Sequence, residues 1–179
     1  MTVSLVTGGS GYFGSLLVRR LLTAGHTVRV LDLNDADDRP AGVQNVQGDV
    51  RDPKVVADAL DGVDIVFNNV AQVPLAKDHE LLRTVNVDGT TLLLAQARRA
   101  GVRKVVHTSS SAVFGIPREN PVLPSTVPSP AEEYGHAKLA AEWACLDAAA
   151  HVLGYRTDTI ESPIPCAEGN KEFLLYARH

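Results

Sequence analysis

The chain has 179 residues, enough for one domain and too few for two of ordinary size. Hydrophobic residues make up 45% and charged residues 21%; that composition is globular, and no run approaches the roughly 18 consecutive apolar residues of a helical membrane span. The net charge of −4 argues against a domain built for nucleic-acid binding.

In chain order, Val3 to Thr7 is a short apolar run that stops at Gly8-Gly9 and reads as a buried strand. Its lack of a basic flank argues against a secretory leader. Phe13, Leu16, Leu17, Leu21 and Leu22 then repeat at helical spacing, with Gly25 as the stop. Thr27 to Asp32 is a second strand and Val43 to Gly48 a weaker third. Asp52-Pro53 has the form of an N-cap followed by proline at the first helical position, opening a helix to about Leu60. Asp64 to Phe67 is a fourth strand, Thr84 to Ala100 a helix, Val102 to Thr108 a fifth strand, and Glu132 to about Leu153 a long helix. Within that last helix Leu139, Trp143 and Leu146 share a face and read as core, while His136 faces solvent; His107, in the fifth strand, reads as buried.

Strand-helix alternation of this kind implies an α/β fold: a doubly wound, mostly parallel Rossmann sheet with helices on both faces. Gly115 to Pro130 interrupts it with five of the ten prolines and is too long for a plain connector, so it is expected to lie over a site. The two cysteines, Cys145 and Cys166, lack metal-ligand spacing, and no histidines pair at such spacing. The expectation is a cytoplasmic protein with inert thiols and no metal.

The first strand ends in Thr7-Gly8-Gly9-Ser10-Gly11-Tyr12-Phe13-Gly14. In a strand-to-helix turn these glycines have separate uses. Gly8 permits the tight turn, Gly11 lets a pyrophosphate approach the backbone, and Gly14 lets the helix pack close to the strand. Ser10, Tyr12 and Phe13 fall within the same turn, whose helix N-terminus offers amides to phosphate. Asp32 closes the next strand, where a carboxylate accepts from both hydroxyls of an adenosine ribose and repels a 2′-phosphate. No Arg or Lys stands in the turn or directly after Asp32, so NAD is favoured over NADP. Asp49-Val50, after the third strand, suits an adenine, with a plain turn aspartate as the lesser alternative.

Further motifs carry a resemblance. Asn68-Asn69-Val70-Ala71 ends the fourth strand, Asn86-Val87-Asp88-Gly89-Thr90 lies in the next helix, Thr108 to Gly115 ends the fifth strand, and Tyr134-Gly135-His136-Ala137-Lys138 opens the last helix. With the first turn, residues 1–153 resemble the extended short-chain dehydrogenases/reductases, the NAD-dependent epimerase/dehydratase group. The resemblance implies Tyr134, Lys138 and Ser110 as catalytic residues, with Ser111 the alternative to Ser110. It also implies Lys138 and Tyr134 at the nicotinamide ribose, Val70-Ala71 along the cofactor, and the last helix as a homodimer interface. Asn86 reads as a structural helix residue near the site. Tyr134 and Lys138 at i and i+4 share a helix face. A phenol with an ordinary pKa of about 10 must ionise near neutrality, which takes roughly 3–4 kcal/mol of stabilisation from the neighbouring ammonium and the nicotinamide ring.

The family's substrate-closing C-terminal region and its Arg-Pro segment have no counterpart before residue 179. Instead, Ser162-Pro163-Ile164 and Glu168-Gly169-Asn170-Lys171-Glu172-Phe173-Leu174-Leu175 resemble the end of haemolysin-like rRNA 2′-O-methyltransferases, with Glu172 at an acidic catalytic position. That resemblance implies two terminal strands, Thr157 to Ser162 and Glu172 to Arg178, the last antiparallel. The lysines and aspartate such chemistry needs are missing, so methyl transfer is not predicted. The expectation is a single domain over 1–179, dehydrogenase-like to 153 and joined to a grafted hairpin over 154–179, with a natural truncated protein bearing an unusual tail as the alternative. It binds NAD with little or no turnover on an unidentified small-molecule substrate. A minimal oxidoreductase and an S-adenosylmethionine binder are the alternatives.

Overall fold

Leu5 and Val6 are chain neighbours and both wholly buried, on opposite sides of a sheet. A strand covered on both faces has no polar alternation, because successive side chains enter different cores. The computed structural model describes residues 1–73, 78–117, 120–152, 156–161 and 173–178, with side chains as far as residue 149. Its strands are β1 (Val3–Thr7), β2 (Thr27–Asp32), β3 (Gln44–Gln47), β4 (Ile65–Asn68), β5 (Lys104–Thr108), β6 (Arg156–Glu161) and β7 (Phe173–Arg178). They form one sheet in the order β3-β2-β1-β4-β5-β7-β6. The first five are mutually parallel, and β7 runs antiparallel to both β5 and β6. The expected sheet and its antiparallel last strand are therefore present, with β7 rather than β6 beside β5.

Helix α1 (Tyr12–Thr23) lays Val18 and Leu21 on Val6, Val28 and Val30. On the opposite face, α2 (Pro53–Leu60) and α4 (Gly89–Arg99) bring Val56, Leu60, Leu93 and Ala97 to Leu5, Leu31 and Val66. Each fully buried Val or Leu contributes about 1.5–3 kcal/mol. The long helix α5 (Glu133–Val152) packs against α4. Asp52 caps α2 as its sequence implies, accepting from the amides of Lys54 and Val55 at 2.8 and 3.3 Å, with Pro53 opening the helix.

Three expectations need correction. The helix read from Thr84 starts earlier, as α3 (His79–Arg83) capped by Asp78, and passes through a π-helical turn at Thr84–Asp88 before α4. A π turn sits inside a continuous apolar periodicity and leaves no compositional mark. The third strand is shorter than Val43 to Gly48. Trp143 and Leu146, read as core, are 64% and 43% exposed, whereas Leu139 is buried. Helical spacing puts such residues on one face but does not say whether that face points inward.

The parallel register brings the C-terminal ends of the strands together: Thr7 lies opposite Asn68 and Asn68 opposite His107, with Asp32 ending β2 beside them. In an open parallel sheet this edge is where ligands bind.

Candidate functional site

The chain turns sharply after Thr7. Gly8 has φ of +68° and donates its amide to Leu31 O at 2.9 Å. A Cβ on Gly8 would stand 2.9 Å from Val70 Cα, so only glycine lets this turn pass the segment after β4. Gly14 packs α1 on the turn, and a Cβ there would fall 2.1 Å from Gly8 O. Gly11 is the N-cap of α1 and supplies no side chain to cap it. The first-turn amides thus stay unmatched by any capping group, at the positive end of the helix dipole.

Beside this turn opens a cleft of about 460 Å³, a size within the usual range of ligand sites. Gly8, Ser10, Gly11, Asp32, Asp49, Val50, Val70 and Ala71, all predicted, line it. Tyr12, Phe13 and Gly14 are not among its lining residues, and Tyr12 is 83% exposed. These three residues lie in the first turn of α1.

Asp32 accepts from the amide of Ser10 at 2.9 Å and from that of Asn34 at 3.0 Å, one oxygen to each. Asp49 is gripped by Arg51, whose guanidinium donates to both of its oxygens, one contact at 2.6 Å. These bonds hold its carboxyl below the usual range. Asp49 therefore meets the cleft as half of an ion pair, and Arg51 also reaches Thr84 Oγ1 at 3.1 Å. Ser10 carries a contact that the sequence did not reveal: Arg39 donates from Nη2 to its Oγ at 3.0 Å. A cation does stand near Asp32, seven residues on, where the 33–38 loop returns.

Buried hydrogen bonds join the strand ends. Thr7 Oγ1 donates to Asn68 Oδ1 at 2.7 Å and accepts from the amides of Asn69 and Val70 at 3.1 and 3.2 Å. Asn68 Nδ2 donates to Thr90 Oγ1 at 3.2 Å and to His107 Nδ1 at 3.1 Å. Its burial, with the Lys138 ammonium nearby, holds His107 well below the ordinary imidazole range, so the ring is neutral. Asn86 clamps the cleft residue Gln72, accepting from its amide at 2.8 Å and donating to its carbonyl at 3.0 Å. It is the structural neighbour of the site that the sequence implied.

At the end of β5, Ser110 caps a 3₁₀ turn at Ser111–Phe114, its hydroxyl accepting from Ala112 N at 3.2 Å. The first turn of α5 rests on that turn: a Cβ on Gly135 would stand 2.5 Å from Ala112 O. Tyr134 precedes Gly135 in that first turn of α5. One helical turn further, Lys138 is buried and donates from Nζ to Thr108 O at 2.5 Å. Thr108 in turn donates to Asn69 Oδ1 at 2.5 Å, and Asn69 lines the cleft. The next residue on this face, Glu142, accepts from Ser109 Oγ. Burial pushes the Glu142 carboxyl up, against the bond from Ser109 and the charge of Lys138. Burial also pushes the Cys145 thiol up to about 12, leaving it inert as expected; Cys166 lies outside the described residues. The proline-rich loop closes onto the same turn, with Ser129 N donating to Val113 O at 3.0 Å.

Arg39 and Glu142 were missed by sequence reasoning, as was the bond between the motif residues Thr108 and Asn69. The signal that could have found Glu142 is its position four residues after Lys138, as Lys138 is after Tyr134. Among the described residues there is no cluster of metal-binding side chains and no helix long and apolar enough to cross a membrane.

The family model of the NAD dependent epimerase/dehydratase family matches residues 4–164, past the residue 153 at which the resemblance was expected to end. An uncharacterised protein, y4nG, of Sinorhizobium fredii is 50% identical over 145 residues, covering 81% of this chain and 37% of its own length. A UDP-glucose 4-epimerase of Streptomyces lividans is 39% identical over 162 residues, covering 84% of this chain and 49% of its own. Among solved structures, a short-chain dehydrogenase/reductase superfamily protein from Agrobacterium tumefaciens with bound NAD superposes with a TM-score of 0.75 at 36% identity. That match covers 80% of this chain and 44% of the other. The chain thus spans less than half the length of these relatives.

Proposed function

The chain belongs to the NAD dependent epimerase/dehydratase family, and on that premise we propose that it binds NAD in the cleft beside the Gly8–Gly14 turn and presents Ser110, Tyr134 and Lys138 to a substrate alcohol or carbonyl. One observation carries the reading: Asp32 and the uncapped start of α1 face one cleft whose far wall, through Asn69 and Thr108, is tied to Lys138. The glycine turn fits a pyrophosphate, because Gly11 leaves room where a side chain would intrude. NAD, when bound, supplies the hydride acceptor. The chain's own residues do the rest: Asp32 fixes the adenosine ribose, Val70 and Ala71 pass along the cofactor, Lys138 holds the nicotinamide ribose, Ser110 orients the substrate oxygen, and Tyr134 moves its proton.

The chain spans less than half the length of its relatives, so turnover belongs to the proposal separately from binding. We read residues 1–179 as one cofactor-binding domain with little turnover of its own, and a minimal oxidoreductase as the alternative. Calorimetric titration with NAD is expected to saturate. With UDP-glucose as the probe substrate, any NADH absorbance that forms should vanish in Tyr134→Phe while NAD affinity holds within about threefold. Unchanged NADH formation in that variant would overturn the role of Tyr134, and absence of NAD binding in folded protein would overturn the cofactor reading.

The tail supports a finer reading. β7 lies antiparallel in the sheet, as the methyltransferase-like resemblance implies, and on this reading residues 154–179 are a graft that extends the sheet beyond β5. The family match takes β6 out of that graft, and Glu172 lies outside the described residues. Competition between NAD and S-adenosylmethionine in the same titration tests whether the tail brought a ligand with it. The expected result is none.

A further inference from the structure

The end of β4 carries two asparagines with different surroundings. Asn68 is buried and spends its side chain on Thr7, Thr90 and His107. Asn69, the next residue, lines the cleft. Its main chain is fixed from β1, the amide donating to Thr7 Oγ1 at 3.1 Å, and its side chain from β5, Oδ1 accepting from Thr108 Oγ1 at 2.5 Å. Nδ2 faces Phe67 O at 3.5 Å, beyond the usual range of an N–H···O bond. These two neighbours settle which way the amide lies: turned over, it would set oxygen against the Phe67 carbonyl. A primary amide has two N–H groups, and among the described residues nothing but Phe67 O accepts from this one. A residue of the cleft wall thus carries an oriented donor with capacity to spare.

The strand order gives the part of a dinucleotide that would meet this donor. β2, β1, β4 and β5 are consecutive in the sheet, and Asp32, the Gly8 turn, Asn69 and Thr108 stand at their C-terminal ends. A Cβ on Gly8 would lie 3.2 Å from Asn69 C, so Asn69 packs against the turn on the side away from Asp32. With the adenosine ribose on Asp32 and the pyrophosphate on the turn, the next group along is the second ribose. Resting on the cofactor reading above, we propose that Asn69 is a cofactor-binding residue whose Nδ2 donates to an oxygen of that nicotinamide-bearing ribose, with Thr108 as its positioning residue. The Thr108 carbonyl accepts from Lys138 Nζ at 2.5 Å while its hydroxyl donates to Asn69, so one residue sets both the amide and the ammonium. Fixing the amide before the ligand arrives removes the ordering cost that a free side chain would add on binding.

The test is calorimetric titration of the full chain with NAD, ADP-ribose and ADP, for the wild type, Asn69→Ala, Asn69→Asp, Thr108→Val and Asn69→Ala/Thr108→Val, with far-UV circular dichroism to report folding. ADP ends at the pyrophosphate, ADP-ribose keeps the second ribose, and NAD adds the nicotinamide. Asn69→Ala is expected to weaken NAD and ADP-ribose by about three- to tenfold, the size of one hydrogen bond, and to leave ADP unchanged. Asn69→Asp still accepts from Thr108 but has lost the donor, and its charge repels ADP at least as strongly as NAD. A fall in its NAD-to-ADP affinity ratio therefore reports the missing N–H, and decides the matter if Asn69→Ala does not fold. Thr108→Val should lower the same ratio by a smaller factor and add nothing in the Asn69→Ala background. Equal losses for all three ligands, or none, overturn the contact, and additive losses overturn the role of Thr108. Wild-type protein that binds neither NAD nor ADP-ribose would instead remove the cofactor reading itself.

Discussion

Gly14 and Gly11 sit three residues apart in one turn and are glycines for different reasons. A Cβ on Gly14 would meet Gly8 O at 2.1 Å and Gly9 Cα at 2.8 Å, both backbone atoms that cannot step aside without opening the turn. A Cβ on Gly11 would meet only Gly8 O, at 3.4 Å, an ordinary contact. Gly14→Ala should therefore cost about 3 kcal/mol or more of unfolding free energy in urea, with overpacking against backbone as the cause. Gly11→Ala should stay within about 1 kcal/mol of wild type in the same measurement and lose NAD binding, because its methyl enters the cleft rather than the core. Equal destabilisation by the two would contradict this division. Both glycines and Asp32 were legible in the sequence, since their meaning lies in spacing along a single strand-turn-helix unit. Arg39 and Glu142 were not. Each acts on a residue far away in the chain, Ser10 and Ser109, and even the i+4 spacing of Glu142 from Lys138 does not name that distant partner.

Helix α5 grips the end of β5 at two successive residues, Lys138 on the Thr108 carbonyl and Glu142 on the Ser109 hydroxyl. This fixes the turn that carries Ser110 relative to the helix that carries Tyr134. Beneath the grip lies His107, neutral, buried and bonded through Nδ1 to Asn68; its Nε2 has no partner. Burial disfavours its charged form first, and the Lys138 ammonium of α5 adds to this by disfavouring a second positive charge. The folded ring binds its proton well below the ordinary value, whereas the unfolded ring takes one up near pH 6.5. Stability from this residue is therefore complete above about pH 6.5 and is lost as pH falls toward the folded value, at up to about 1.4 kcal/mol per pH unit. Urea unfolding at about pH 7.5 and pH 5.5 should show that loss in wild type and a smaller one in His107→Gln, which does not titrate. Identical pH dependence would place the acid sensitivity elsewhere. The strands and helices that set up this grip follow from period and caps. The π turn and the outward-facing Trp143 do not, because periodicity gives a helix a face but not the face's direction.

At the scale of the molecule, the parallel order of the first five strands follows from strand-helix alternation, while the insertion of β7 between β5 and β6 does not. Local sequence specifies a strand, and only long-range pairing specifies its neighbour. The cleft lies at the ends of β1, β2 and β4, so a dinucleotide lying across the glycine turn, Asp32 and Val70 would tie three strand ends, of which the Thr7–Asn68 hydrogen bond joins only β1 and β4. A ligand that binds only the folded state stabilises it by mass action, about 2.7 kcal/mol at a hundred times its dissociation constant. For a domain of this size that corresponds to a rise in Tm of roughly 5–10 °C. NAD at such a concentration should produce this shift in wild type and in Tyr134→Phe alike, since the phenol is assigned to proton movement rather than to holding the cofactor edge. Asp32→Ala should shrink the shift, because it removes the acceptor for the adenosine ribose and leaves the amides of Ser10 and Asn34 without their carboxylate. A shift in Asp32→Ala as large as in wild type would mean that the nucleotide binds without using the end of β2, and the assignment of this strand edge would fall with it.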